Sequence, residues 1–271
     1  MRFDLHVHTN HSDGILSPAQ IVDLAVKQKL SGIAITDHDT ISGIEDAITQ
    51  SLKYDNFKVI PGIEFSCVYK DEEVHILGYF IDYRNSDIIN ITNKLKLARI
   101  SRGIDIIKKI NELGLSLTVE DVKNFSGEDY IGRPHIARAL IKNGYLSSIQ
   151  EGFEKYLNIG KPAYVERYKM TIEDTIYLIK NSGGIPILAH PGLLKDKNII
   201  EHCISLGIGG LECIHSKHSK ADIKLFSKIA ASNNLIATGG SDCHGDITRG
   251  SLLLGTCFVD IYSIPQMKER I

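Results

Sequence analysis

His6-Val7-His8 places two imidazoles two residues apart, and in an extended strand that spacing points both to one side while Leu5 and Val7 face the core. Asp4, His11 and the turn Ser12-Asp13-Gly14 lie close by in the chain. Thr36-Asp37-His38-Asp39-Thr40 then sets two carboxylates around a histidine, as metal ligands or as acceptors that fix the imidazole tautomer. Glu64 and His75 fall in flanking β segments. Ala189-His190-Pro191-Gly192 and Gly239-Gly240-Ser241-Asp242-Cys243-His244 repeat a pattern of strand followed by ligand, and the paired glycines are expected to let the chain turn tightly. Each motif alone has an ordinary structural reading. Together they supply His6, His8, His38, His75, His190, His244, Asp13, Glu64 and Asp242, all at or near predicted strand ends. Nine nitrogen and oxygen donors exceed the shell of one ion and imply two or three divalent ions bridged by carboxylates. With no thiolate among them, Mn²⁺, Fe²⁺ and Zn²⁺ all fit, whereas Mg²⁺ would want more oxygen. Such clusters suit hydrolysis, one ion activating water while others neutralise the electrophile and the leaving oxygen.

Positioning these residues requires a set of strands that end on one face. Phe3 to His8, Gly32 to Thr36, Val59 to Ser66, Val74 to Tyr79, Ile185 to Ala189, Gly210 to Ile214 and Leu235 to Thr238 read as short strands, most of them closed by a polar terminus. Helical patterns separate them. Ser17-Pro18 starts one helix, and Thr171 to Lys180, closed by Gly183, forms another. The alternation predicts an α/β fold of βαβ units around a parallel sheet, with chemistry at the C-terminal ends of the strands. From Asp87 to Tyr156 only helical pattern occurs, with Ile100, Ile104 and Ile107 on one face, a capping box at Thr118 to Asp121, and an amphipathic Arg133 to Lys142. The expected organisation is therefore a barrel built from residues 1–86 and 157–271, with a helical insertion over 87–156.

In the 271 residues, a hydrophobic fraction of 43% and a charged fraction of 24% describe a chain that can bury a core. Lys and Arg number 31 against 33 Asp and Glu, a net charge of -2, which provides no chain-wide footprint for long DNA or an anionic membrane. No apolar run approaches a membrane span, and Met1-Arg2-Phe3-Asp4 opens no secretory signal. Cys67, Cys203, Cys213, Cys243 and Cys257 are scattered and odd in number, which fits a reducing, cytoplasmic setting.

Asp4-Leu-His6-Val-His8-Thr-Asn-His-Ser-Asp13-Gly, Ile35-Thr-Asp-His38-Asp-Thr, Gly62-Ile-Glu64, Glu73-Val-His75-Ile-Leu-Gly, Ala189-His190-Pro-Gly and Gly240-Ser-Asp242-Cys-His244 resemble, in order and across nearly the whole chain, the PHP (polymerase and histidinol phosphatase) superfamily. Gly132-Arg133-Pro134-His135-Ile136-Ala137-Arg138 and Gly210-Leu-Glu-Cys-Ile-His215-Ser-Lys-His218-Ser resemble its branch of nucleoside 3′,5′-bisphosphate phosphatases and RNase AM-type 5′→3′ exoribonucleases, although Ile214 stands where that branch often carries an aromatic. The resemblance implies a distorted (β/α)7-type barrel with a trinuclear site, Mn²⁺ being the first expectation. It implies one metal on His6, His8, Glu64 and Asp242, a second on Glu64, His75 and His190, and a third on Asp13, His38 and His244.

Arg133 and His135 stand at a predicted helix start, where a guanidinium fork and free backbone N–H groups suit a phosphate; His215 is a further candidate phosphate contact. Arg138, one turn on, reads equally as surface, and His11, His202 and His218 as surface or supporting residues. Lys94, Lys96, Arg99, Arg102, Lys108 and Lys109 make one helix net basic, which reads as a solvated face or a guide for an RNA tail. The resulting expectation is a metal-dependent phosphoesterase that removes the 3′-phosphate of nucleoside 3′,5′-bisphosphates (pAp to AMP) and releases 5′-mononucleotides from short 5′-phosphorylated RNA. Histidinol-phosphate phosphatase is the alternative. An amidohydrolase would leave Asp13, Glu64, His38 and His244 surplus, and a non-catalytic metal module would have lost ligands.

Overall fold

The computed structural model describes residues 1–126, 130–245, 247–248 and 251–271. Its strands are β1 (Arg2–Val7), β2 (Gly32–Ile35), β3 (Lys58–Tyr69), β4 (Glu72–Tyr79), β5 (Met170–Thr171), β6 (Ile185–Leu188), β7 (Gly210–His215), β8 (Ile236–Gly240), β9 (Ile247–Thr248), β10 (Ser251–Leu252) and β11 (Val259–Asp260). The main sheet runs β11-β1-β2-β3-β4-β6-β7-β8, with β5 on β3. Beyond β8 the chain returns to β1: Val7 and Cys243 form a parallel bridge, and Asp242 N donates to His6 O at 3.0 Å. The sheet is thereby a nearly closed barrel, and the fold is α/β as expected.

One strand departs from the parallel expectation. β4 is antiparallel to both β3 and β6. Only Lys70 and Asp71 separate it from β3, with Lys70 at φ +52, and a connection that short cannot hold the crossover a parallel pair needs. The reversal has a use, because β4 starts where its parallel neighbours end. His75, near its beginning, therefore sits at the same barrel mouth as Glu64.

An inner cluster containing Phe3, Leu5, Ile60, Leu77, Tyr79, Ile187 and Ile236 fills the barrel floor, closed by Val259, Ile261 and Met267 from the last segment. An outer cluster packs the sheet against α1 (Pro18–Lys27), α2 (Ile44–Ser51) and four later helices. Leu5 belongs to the inner cluster and Val7 to the outer one, so the two do not share a face as strict alternation predicts. A register irregularity between Asp4 and Val7 explains this: a bulge flips the alternation and lets consecutive Leu5 and His6 both serve the interior.

The mouth is covered by α3 (Ser86–Glu112), α4 (Val119–Ser126), α5 (Arg133–Lys142) and α6 (Ile149–Gly152), the last continued by a π turn over Phe153–Leu157. No described residue between 86 and 157 is in a strand. Asn85 caps α3, and Thr118 and Asp121 exchange the reciprocal bonds expected of a capping box. These helices share a core of their own around Ile106, Ile110, Val122, Ile136 and Leu140. The buried stripe of α3 is not the expected one. It runs through Leu95, Arg99, Arg102, Ile106 and Ile110, whereas Ile104 is 47% exposed. The helix turns two arginines inward because it faces a polar mouth rather than an apolar sheet. The remaining helices are α7 (Ile172–Asn181), α8 (Asn198–Ser205), α9 (Lys220–Ser232) and α10 (Pro265–Lys268), and no described helix is long and apolar enough to cross a membrane.

Candidate metal centre and adjoining cavity

All nine expected ligands converge at the mouth. Glu64, fully buried on β3, stands at the centre. Its Oε2 lies 3.3 Å from His6 Nε2, 3.3 Å from His8 Nε2 and 3.0 Å from His38 Nδ1. Its Oε1 lies 2.9 Å from His75 Nδ1 and 3.0 Å from His190 Nε2. The two oxygens thus address different imidazoles, which is the geometry of a bridging carboxylate. Asp242 Oδ1 is 3.3 Å from His8 Nε2 and 3.5 Å from His6 Nε2. Asp13 Oδ1 is 3.2 Å from His244 Nε2, and its Oδ2 is 3.9 Å from His38 Nε2. His38 therefore lies between Glu64 and Asp13.

His6 Nε2, both nitrogens of His8, His38 Nδ1 and Glu64 Oε2 are buried without a hydrogen-bond partner among the described residues, a pattern that fits metal-ligating donors. Burial alone would raise the Glu64 carboxyl, but His38, His6 and His75 hold it well below the usual range. Burial pulls His8 down, yet Asp242 and Glu64 push it up to about 10. The carboxylates likewise raise His6, His75 and His244, whereas burial keeps His38 and His190 below the usual imidazole range.

The supporting contacts come in part from Glu212, a residue to which the sequence motifs assign no role. His6 Nδ1 bonds Glu212 Oε1 at 2.9 Å, which leaves Nε2 to face the cluster, and Glu212 Oε2 accepts from His190 N at 2.8 Å. Asp37 receives Thr9 N, Thr9 Oγ1 and Ser12 Oγ, tying down the loop that carries Asp13, while Arg138 Nη1 donates to Asp13 O at 2.9 Å. Arg138 is therefore not merely surface. Asp39, His190 and Asp242 adopt positive φ, local strain of the kind that folds hold at functional sites. Gly240 has another role than the expected tight turn. It lies within β8 without a positive φ, and a Cβ there would come within 2.4 Å of His6 N and Cβ, so glycine is needed for close approach.

Beside the cluster is a cavity of about 150 Å³. Asp13, His38, Glu73 and His75 line its barrel wall; Arg99, Arg102, Tyr130, Arg133 and Phe153 line the wall from the helical segment between β4 and β5. Arg133, expected at this site, lies 3.7 Å from Glu73 and over the Phe153 ring. His135 is buried behind it. Its Nδ1 accepts from Gly132 N at 3.2 Å, which places the proton on Nε2, and that donor has no partner among the described residues. His215 is set deeper, its Nε2 3.3 Å from Asp242 Oδ2. His218 bonds Cys213 O and Gly192 N behind it, whereas His11 and His202 pair with Asp46 and Glu173 away from the cluster. Arg99 and Arg102 were hidden in a helix that reads as net basic. The available signal was their place in the apolar stripe between Leu95 and Ile106.

Burial lowers His135 to about 4. The unfolded chain takes up a proton there near pH 6.5 and the folded one does not, so stability is present above that pH and is lost on acidification towards 4. The expected slope is about 1.4 kcal/mol per pH unit across that window. Thermal denaturation of the wild type against His135→Gln should show a flatter acid limb in the variant; parallel limbs would refute a neutral buried imidazole.

The PHP domain family matches residues 4–169. Over 89% of this chain and 85% of the relative, the sequence is 32% identical to the 5′-3′ exoribonuclease Rnm of Escherichia coli. Over 89% of the chain and 86% of the relative, it is 29% identical to the 3′,5′-nucleoside bisphosphate phosphatase of Chromobacterium violaceum. A structure from Bifidobacterium adolescentis, described as a metal-dependent phosphoesterase, superposes with a TM-score of 0.90 at 29% identity, covering 99% of this chain and 96% of the other. With a barrel mouth where nine candidate ligands converge, these likenesses establish that the chain belongs to the PHP domain family and is a hydrolase of phosphoester bonds.

Proposed function

We propose that this enzyme cleaves the P–O3′ bond of nucleotides that bear a 5′-phosphate, with nucleoside 3′,5′-bisphosphates (pAp to AMP) and short 5′-phosphorylated RNA as substrates. The observation that carries the reading is one cavity with the candidate ligands Asp13, His38 and His75 on one wall and arginines on the other. His6, His8, Glu64 and Asp242 would hold one divalent ion, His75 and His190 a second through Glu64, and Asp13, His38 and His244 a third. Mn²⁺ is the preferred occupant, and Fe²⁺ or Zn²⁺ would suit the same nitrogen and oxygen donors. Such ions supply activated water and neutralise charge on the phosphoryl oxygens. The chain's own part is orientation. Glu212 fixes the His6 tautomer, and Asp37 with Arg138 fixes the Asp13 loop. The Arg133 fork and the His135 Nε2–H would hold the 5′-phosphate, and His215 would steady Asp242 or a phosphoryl oxygen beside it. The exoribonuclease and bisphosphate phosphatase names of the relatives support both substrate types, since the same bond breaks whether the 3′ group is a bare phosphate or the next nucleotide.

Histidinol phosphate offers one phosphate and a cationic amine, and the arginine wall would repel that amine. With Mn²⁺ at one salt concentration, kcat/KM for pAp should exceed that for 3′-AMP, 5′-AMP and histidinol phosphate by at least about tenfold. Arg133→Ala should narrow the pAp to 3′-AMP ratio on the order of 10- to 100-fold, the worth of a charged hydrogen bond in a site. A win for histidinol phosphate, or parity of 3′-AMP with pAp, would sink the two-phosphate reading.

A further inference from the structure

The strand order divides the barrel mouth into two halves. Apart from Asp13 on the loop after β1, the barrel residues that line the cavity come from one half: His38 follows β2, Ser66 is on β3, and Glu73 and His75 are on β4. The other half belongs to β6, β7 and β8, which lead into His190, His215 and the turn 241–244. Lys217 stands there, on the turn between β7 and α9. Its Nζ is 3.6 Å from Asp242 Oδ2, and its side chain is 61% exposed. The backbone around it is held without the ammonium. Lys217 N donates to His215 Nδ1 at 3.2 Å, His218 N donates to His215 O at 3.0 Å, and the His218 ring bridges Cys213 O and Gly192 N. Asp242 is meanwhile turned to the cluster, its Oδ1 towards His6 and His8 and its Oδ2 shared with His215. An exposed ion pair at that distance is weak, so Lys217 can meet a second anion at little cost.

Resting on the reading that 5′-phosphorylated RNA is a substrate, we propose that Lys217 is a specificity-determining residue for RNA, holding the first internucleotide phosphate beyond the scissile one. With the 5′-phosphate in the cavity beside β2 to β4 and the scissile phosphate at the carboxylate–histidine cluster, the rest of the strand continues over the ends of β6 to β8, where Lys217 stands. pAp stops at the scissile phosphate and has nothing to place there. A compact ammonium on a flexible stem suits the position, because it meets an internal diester as a point charge and needs no fork geometry. Such a contact reads backbone and carries no base preference.

The test uses the full chain loaded with Mn²⁺, as wild type, Lys217→Ala and Lys217→Arg. The substrates are pAp, pApA, pApApA and a pApApA whose second internucleotide linkage is a neutral methylphosphonate. Wild type should cleave pApApA with a kcat/KM on the order of tenfold above that for pApA or for the methylphosphonate analogue. Lys217→Ala should erase that advantage and Lys217→Arg should keep most of it, with the three Tm values agreeing within about 2 °C. The log–log salt slope for pApApA should be shallower by about 0.7 in Lys217→Ala, the worth of one contact to single-stranded phosphate. The same change of slope should appear in the Kd of pApApA for the Glu64→Gln chain with and without Lys217→Ala, read by fluorescence anisotropy. A Lys217→Ala chain that still prefers pApApA to its methylphosphonate analogue overturns the proposal. So does an equal loss on pAp and pApApA, which would make Lys217 a partner of Asp242 alone. A wild type that cleaves pApA and pApApA equally well overturns the proposal and leaves the RNA reading intact, whereas one that hydrolyses pAp and cleaves neither RNA removes that reading and the proposal with it.

Discussion

Glu64→Gln should abolish turnover, by on the order of 10³-fold or more, while the barrel stays folded. Both oxygens of Glu64 are committed, Oε2 to His6, His8 and His38 and Oε1 to His75 and His190. Glutamine keeps the volume but replaces one oxygen by an N–H₂ donor, which cannot ligate and would point at imidazole nitrogens. Asp242→Asn should act similarly, since its Oδ1 faces His6 and His8 while Oδ2 meets His215. The apolar floor below the site, with Phe3, Leu77 and Tyr79, keeps its side-chain packing in both variants and should hold the fold. Metal content per chain should drop with activity, EDTA should silence the wild type, and Mn²⁺ should restore the wild type alone. Full activity in a chelated, metal-free wild type would defeat this account, as would undiminished turnover by Glu64→Gln.

Asp39→Asn should be the most destabilising single substitution near the cavity, at about 3–5 kcal/mol. Its Oδ2 accepts Arg99 Nε at 2.8 Å and Arg167 Nη2 at 2.9 Å, and its Oδ1 accepts Ser66 N at 2.9 Å. All of these partners are buried. Burial would raise the Asp39 carboxyl, but Arg99 and Arg167 keep it below the usual range, so it is ionised and fully engaged at neutral pH. Asparagine keeps the shape and leaves two guanidiniums in the interior without their counter-charge. At roughly 2–4 °C per kcal/mol for a chain near this size, Tm should fall by about 10 °C. Because Asp39 follows His38 directly and its N–H donates to Glu64 O, loss of the pair should also loosen the ligand loop and raise KM for metal. An unchanged melting curve would mean that the two arginines are compensated elsewhere.

The nine candidate ligands that meet at the barrel mouth could be picked out in the sequence because what marks them is local. An HxH on a strand and a His or Asp just past an apolar run are set by side-chain periodicity and by chemistry over a few residues. The same holds for the capping box at Thr118 and for the ends of α5. The antiparallel course of β4 was carried by a two-residue turn whose meaning depends on the partner strand. The faces of Leu5 and Val7 turned on a bulge, and bulges leave no trace in an alternating pattern.

What only the tertiary structure decided is charge compensation. The string of residues shows six basic side chains on α3 and cannot show that Arg99 finds Asp39 sixty positions away while Arg102 Nε finds no partner among the described residues. It shows Glu212 in an apolar strand but not His6 beside it. Ligand type and strand position are short-range properties. Whether a buried charge is paired, and therefore whether it stabilises the fold or waits for a ligand, depends on elements brought together from distant parts of the chain, in a medium too poor in water to hide the difference.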